Sequence, residues 1–165
     1  MKLKSMQDLY VSELKDLYSA ETQLLKALPK MAKAASSATL RQAIEEHIDV
    51  TEKQKQRLEQ IAENLDIKPS GKKCKAMEGL IAEGEEAIKA EADESVHDAA
   101  IIAAAQRIEH YEIAGYGTAR TFAKTLGFTD AADLLQQTLD EESQTDRMLT
   151  DLAESEINPH AAQVV

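Results

Sequence analysis

The stretch AAIIAAAQRIEHYEIAGYGTARTFAKTL, residues 99–126, decides the fold. It is built from strong helix formers with apolar residues at helical spacing, and it reads as most of one long helix beginning near Ser95. Gly127 follows it and suits the left-handed position that closes a helix. Along this helix Ile101, Ala105, Ile108, Glu109, Glu112, Tyr116 and Ala119 share one face. The face has the composition of a core, yet two glutamates one turn apart stand in it.

Working outward, a first helix is expected from about Ser5 to Ala35, with Ser5 and Asp8 as a capping pair and Leu14, Leu17, Leu24 and Leu28 as its apolar stripe. Pro29 predicts a kink rather than a stop, because apolar periodicity resumes at Met31. Ser36 and Ser37 form the turn. A second helix is expected from near Thr39, where Thr39 and Gln42 have capping-box spacing, to about Leu65, and KPSGKK ends it. Residues Lys75 to Glu91 read as a shorter amphipathic helix carrying Met77, Leu80, Ile81 and Ile88. Thr129 is the expected cap of a last long helix reaching about Ser155, and INPHAAQVV predicts a loose tail. One domain is therefore expected over 1–157, with a flexible tail over 158–165. Two tight helical hairpins joined by a connection of about 30 residues predict an all-α antiparallel four-helix bundle of ferritin-like topology, with a short extra helix in the crossover between helices two and three.

Composition narrows the setting. A chain of 165 residues can bury a core without staples, and Cys74, its single cysteine, allows no internal disulfide, which fits a reducing cytoplasm. Neither MKLKSMQDLY nor any later segment approaches the roughly 20 apolar residues of a membrane span. With 30 acidic against 19 basic side chains and a formal charge of -11, nucleic acid is excluded as a partner, and no membrane partner is expected. Gly115 and Gly117 permit close helix approach, within the bundle or across a homodimer, the expected assembly. Lys72, Lys73 and Lys75 flank Cys74 and could lower its pKa, although one thiol at a helix start is more often unreactive.

Acidic residues recur where leucines belong. Glu21 interrupts the first stripe between Leu17 and Leu24; on the last helix Glu142 aligns with Leu135, Leu149 and Leu152, with Thr138 and Asp146 beside it; the second helix offers Ala43, His47, Val50, Gln54 and Ile61. Measured from the turn near residue 37, Glu21 lies roughly 24 Å along the axis, Val50 roughly 20 Å and His47 roughly 15 Å. From the turn near residue 128, Glu112 lies roughly 24 Å and Glu142 roughly 21 Å, so both hairpins carry their polar groups at similar height. Unpaired carboxylates buried together demand a compensating cation, and an oxygen-rich set with an imidazole suits a divalent pair of iron or manganese. The candidate ligands are Glu21, His47, Glu109, Glu112, Glu142 and Asp146. Tyr18 and Tyr116, each one turn from a candidate, could hydrogen-bond to ligands or simply fill the core. His110 projects about a quarter-turn from the inward pair, toward solvent or an interface. His97 and His160 carry no signal.

Together, SAETQLLKALPKMA, H-x-x-x-T-x-x-Q-x-x-RLE, KCKAMEGLI, DAAIIAAAQRIEHYEIAGYGT and LDEESQTD resemble the bacterial YciF-like stress-response proteins over nearly the whole chain. The resemblance implies a ferritin-like fold with rubrerythrin-like architecture and an association with stress. It carries a ligand role onto Glu21 of S-A-E, His47, the Glu109–Glu112 pair of E-H-Y-E, and Glu142 of D-E-E. Two positions depart from the pattern. Where the family reads H-x-E-E-T, this chain has His47-Ile48-Asp49-Val50-Thr51, so valine replaces an expected acid, and Asp49 points about 100° away from the inward stripe. Ferritin-like enzymes more widely carry Glu-x-x-His on the last helix, but Glu142 is followed at that spacing by Thr145. Two functions stay open: a di-metal oxidoreductase or peroxidase-like protein handling peroxide, dioxygen or iron, and a non-enzymatic helical stress protein with a degenerate site that works through dimerisation or partner contacts.

Overall fold

The computed structural model describes residues 3–164, and every regular element among them is helical. Met1 and Lys2 of the expected domain, and Val165 of the expected tail, lie outside the described residues.

Helix α1 spans Met6–Ala34, and Ser5 caps it by accepting from the Asp8 amide at 3.0 Å, while the Asp8 carboxylate accepts from the Lys4 amide at 2.8 Å. The helix continues through Pro29, whose ring lies on the exposed side, where water can take up the carbonyl it frees. Helix α2, Ala38–Asn64, begins earlier than Thr39: Ser37 is its cap, accepting from the Leu40 amide at 3.3 Å. The reason lies across the bundle, where the Asp98 carboxylate accepts from the Ser36 and Ser37 amides at 2.8 and 2.7 Å and fixes the turn.

Helix α3, Lys75–Lys89, is capped by Cys74, whose sulfur accepts from the Met77 amide at 3.4 Å. Burial pushes this thiol's pKa up, so the flanking lysines do not activate it. Helix α4, Glu94–Leu126, starts from Asp93 rather than Ser95, and Gly127 ends it at φ 81°. Helix α5, Thr129–Leu152, takes Thr129 as its first residue; Phe128 precedes it without a side-chain cap. The chain then passes through a π-helical turn, Ala153–Ile157, into α6, Asn158–Ala161. Helix thus outruns the expected end at Ser155 and includes the first residues of the expected tail, because Ile157 is buried in the core and holds that end down.

α1 pairs with α2 and α4 with α5; α1 also packs on α4 and α2 on α5, while α3 lies against α1 and α4. At Gly115 a Cβ would stand 2.8 Å from Leu17 Cδ2, so this glycine lets α1 and α4 approach within the bundle. Gly117 has only ordinary contacts at that distance scale, its nearest neighbour being Leu139 at 4.0 Å. Among the described residues no helix is long and apolar enough to cross a membrane.

The apolar core is divided in two. One cluster joins Leu24, Leu28, Ile44, Ile108 and Leu149; the other joins Leu14, Leu17, Leu58, Tyr116 and Leu135. On each long helix the buried residues between the two clusters are polar: Glu21 on α1, His47, Thr51 and Gln54 on α2, Glu109 and Glu112 on α4, Thr138 and Glu142 on α5.

Candidate metal centre

Apolar residues on either side hold each helix in register, so the buried polar residues between them face inward. Glu21, Glu112 and Glu142 are fully buried, and Glu109 and His47 are 2% and 6% exposed. One potential ligand atom from each of His47, Glu109, Glu112 and Glu142 lies within 4.8 Å of the others. Glu21 stands in the same layer but outside that quartet, held by the Tyr116 hydroxyl, which donates to its Oε1.

The layer is short of partners. Buried atoms without a hydrogen bond include Glu21 Oε2, His47 Nε2, Thr51 Oγ1, Gln54 Oε1, Glu109 Oε2, both Glu112 oxygens and Glu142 Oε2. His47 Nε2 is 3.4 Å from Glu109 Oε1 and makes no hydrogen bond. Burial, then repulsion from neighbouring carboxylates, raises Glu21, Glu109 and Glu112 well above the usual carboxyl range. Burial lowers His47 and keeps its ring neutral, the form that ligates metals. Protons can neutralise such a layer, and so can a metal cation.

The residues fit the metal that the sequence implies. Carboxylate oxygens with one imidazole nitrogen suit iron or manganese, and the orphaned oxygens give those ions the hard donors they prefer. At the edge of the layer Gln54 donates to Glu142 Oε1 and to Glu141 Oε2, and Arg57 grips Glu141 through two nitrogens at 2.6 and 2.7 Å. Glu141 is thereby occupied as Arg57's counter-ion, one position from a core carboxylate.

Several sequence expectations change. Asp146 lies away from the quartet on the α4–α5 seam, accepting from Gln106 Nε2 at 3.1 Å and facing exposed His110 at 3.3 Å. Val50 is half-buried, because α2's inward stripe runs His47, Thr51, Gln54, Leu58; Thr51 is the fully buried residue there, and the spacing of four from His47 was the signal for it. Tyr18 turns its hydroxyl to Glu59 at 2.9 Å, not to a candidate ligand. The Arg57–Glu141 pair had no signal in the sequence, since its partners are 84 residues apart.

An open cleft of about 170 Å³ between α2 and α5 is lined by Ala43, Glu46, His47, Val50, Glu141, Gln144, Thr145 and Met148. A smaller cavity of about 20 Å³ behind it shares Ala43, His47, Thr145 and Met148 and reaches Glu109. His47 is thus both a member of the quartet and a wall of the cleft.

Comparison with known proteins agrees over the full length. Residues 5–162 match the family model described as a domain of unknown function, DUF892. Protein YciF of Escherichia coli (strain K12) is 49% identical over 164 residues, covering 98% of each chain. The crystal structure of that E. coli stress protein superposes with a TM-score of 0.91, at 48% identity over 94% of this chain and 99% of that one. YcfI from Rhodopseudomonas palustris is also similar, with a TM-score of 0.87 at 44% identity over 90% of this chain and 95% of that one.

Proposed function

From the premise that this chain belongs to the DUF892 family, we propose that it is a ferritin-like stress protein that binds iron or manganese between its four long helices and handles peroxide, dioxygen or iron. The observation that carries this reading is the set of buried, unpartnered oxygen and nitrogen atoms of Glu21, His47, Glu109, Glu112 and Glu142 in a single layer. His47, Glu109, Glu112 and Glu142 would hold an ion, and Glu21, steadied by Tyr116, would complete the shell or take part in holding a second.

Bound metal would supply one-electron redox chemistry that these side chains lack. The chain's own residues do the rest. The two apolar clusters above and below the layer keep water out and strengthen every charge interaction within it. Tyr116 fixes the rotamer of Glu21, and Gln54 fixes that of Glu142. Glu109 and Glu112, which favour protons in the metal-free chain, would have to give them up to serve as ligands.

The test is metal analysis of protein purified without chelators and then loaded with Fe(II) or Mn(II), followed by peroxide consumption. Stoichiometric metal, lost in Glu112→Gln, supports the reading. Substoichiometric metal under every loading condition leaves the non-enzymatic reading, which the lack of any inward carboxylate on α2 favours.

A further inference from the structure

Thr145 stands three residues after Glu142, at the spacing where ferritin-like enzymes carry a second histidine. It is half-buried in the wall shared by the cleft and the inner cavity, on the α5 side of His47. Its Oγ1 lies 3.4 Å from His47 Nδ1 and 3.2 Å from the Glu141 carbonyl, to which it donates.

A hydroxyl has one proton. With that proton directed to the Glu141 carbonyl four residues back, the Thr145 oxygen is left as an acceptor, and Nδ1–H of His47 is the donor in reach. A neutral imidazole protonated on Nδ1 carries its lone pair on Nε2. Nε2 is the ring nitrogen that has no hydrogen-bond partner and faces Glu109 Oε1 at 3.4 Å. We infer that Thr145 is a positioning residue that holds His47 as the Nδ1–H tautomer and turns its Nε2 lone pair into the carboxylate layer, toward a divalent cation.

Thr145 thus replaces a ligand with a device that orients one. The expected second imidazole of the last helix is absent, and the residue in its place serves the imidazole of α2. Thr145 lies on a helix whose register is set by Leu135, Leu149 and Leu152, so the acceptor is fixed before any ion arrives. This deepens the metal-centre reading and rests on it for the ligand role of Nε2, but the tautomer exists without metal and is measured without it.

The experiment uses the full chain with Thr145→Val, which keeps the shape and removes the hydroxyl, and Thr145→Ser, which keeps the hydroxyl. Ring ¹⁵N shifts of His47 in the metal-free proteins report the tautomer, and Mn(II) titration reports affinity. The parent and Thr145→Ser should show protonated Nδ1 and bare Nε2, and Thr145→Val should shift toward the other tautomer with Mn(II) affinity lower by roughly 10–100-fold. Bare Nδ1 in the parent, or an unchanged tautomer in Thr145→Val, overturns the inference. If the parent shows the Nδ1–H tautomer and Thr145→Val loses it, while neither binds Mn(II), the orienting role stands and the metal-centre reading fails. Should Thr145→Val unfold, loss of bare Nε2 in Thr145→Ala supports the inference, and its retention overturns it.

Discussion

At the scale of single residues, this core is expensive to maintain, and Glu21 and Glu142 each lean on one buried donor. Tyr116 is the clearest case: it is fully buried, and its hydroxyl finds its acceptor in Glu21. Burial raises the Tyr116 pKa well above its ordinary value, so the phenol stays protonated and remains a donor. Tyr116→Phe removes that donor and leaves both Glu21 oxygens unpartnered, while the ring still fills its space in the cluster that holds Leu17 and Leu135. The expected cost is about 1–3 kcal/mol in urea unfolding of the metal-free chain, the penalty of stranding a buried polar group. Metal affinity should fall as well, since Glu21 loses its fixed rotamer. A variant as stable as the parent would show that Glu21 finds another partner.

At the scale of elements, helices read well from sequence and their ends less well, for a reason that Asp98 makes plain. It sits 2% exposed on α4 and accepts from two amides of the α1–α2 turn, 61 and 62 residues away in sequence. Asp98→Ala should cost about 1–2 kcal/mol and fray the start of α2, seen as faster amide exchange from Ser36 to Leu40. Periodicity revealed Glu21, His47, Glu109, Glu112 and Glu142 because each interrupts an apolar stripe, and it placed their layers level because the hairpin turns are short. It misplaced Val50 by one position on α2, where a step of three and a step of four from His47 are both helical neighbours. It could not place Asp146, whose partners Gln106 and His110 come from another helix. Val50 instead matters to the α2–α5 cleft, where it stands beside His47, the most exposed member of the quartet. Val50→Phe should narrow the cleft and slow Mn(II) loading severalfold in stopped-flow mixing, with the final stoichiometry unchanged; loading at the parent rate would place the route elsewhere.

At the scale of the whole molecule, the polar layer couples stability to pH and, on the proposed reading, to metal. In the metal-free chain Glu21, Glu109 and Glu112 titrate well above their ordinary range, whereas in the unfolded chain glutamate titrates near about 4.3. The folded state therefore binds more protons than the unfolded state as pH rises past that value, and stability present below it is lost progressively toward the raised folded values. His47 acts in the opposite sense, because its folded pKa is lowered and its contribution is lost as pH falls below about 6.5. Well above that pH the imidazole is neutral in both states, and within the layer the carboxyls set the slope. The melting temperature of the metal-free chain should thus decline as pH rises toward the raised folded values of these carboxyls. A bound ion would replace the protons, so Mn(II) should restore stability with an increment that grows with pH. At a free concentration of about 100 Kd the gain is roughly 2.7 kcal/mol, or about 5–10 °C for a domain of this size. Glu112→Gln separates this from general charge repulsion at a net charge of -11: it should make the metal-free pH slope shallower, Glu21 and Glu109 keeping the remainder, and abolish the Mn(II) increment. A slope unchanged in that variant would assign the pH dependence to the acidic surface, whereas a shallower slope together with loss of the increment means that the buried layer trades stability for a cation.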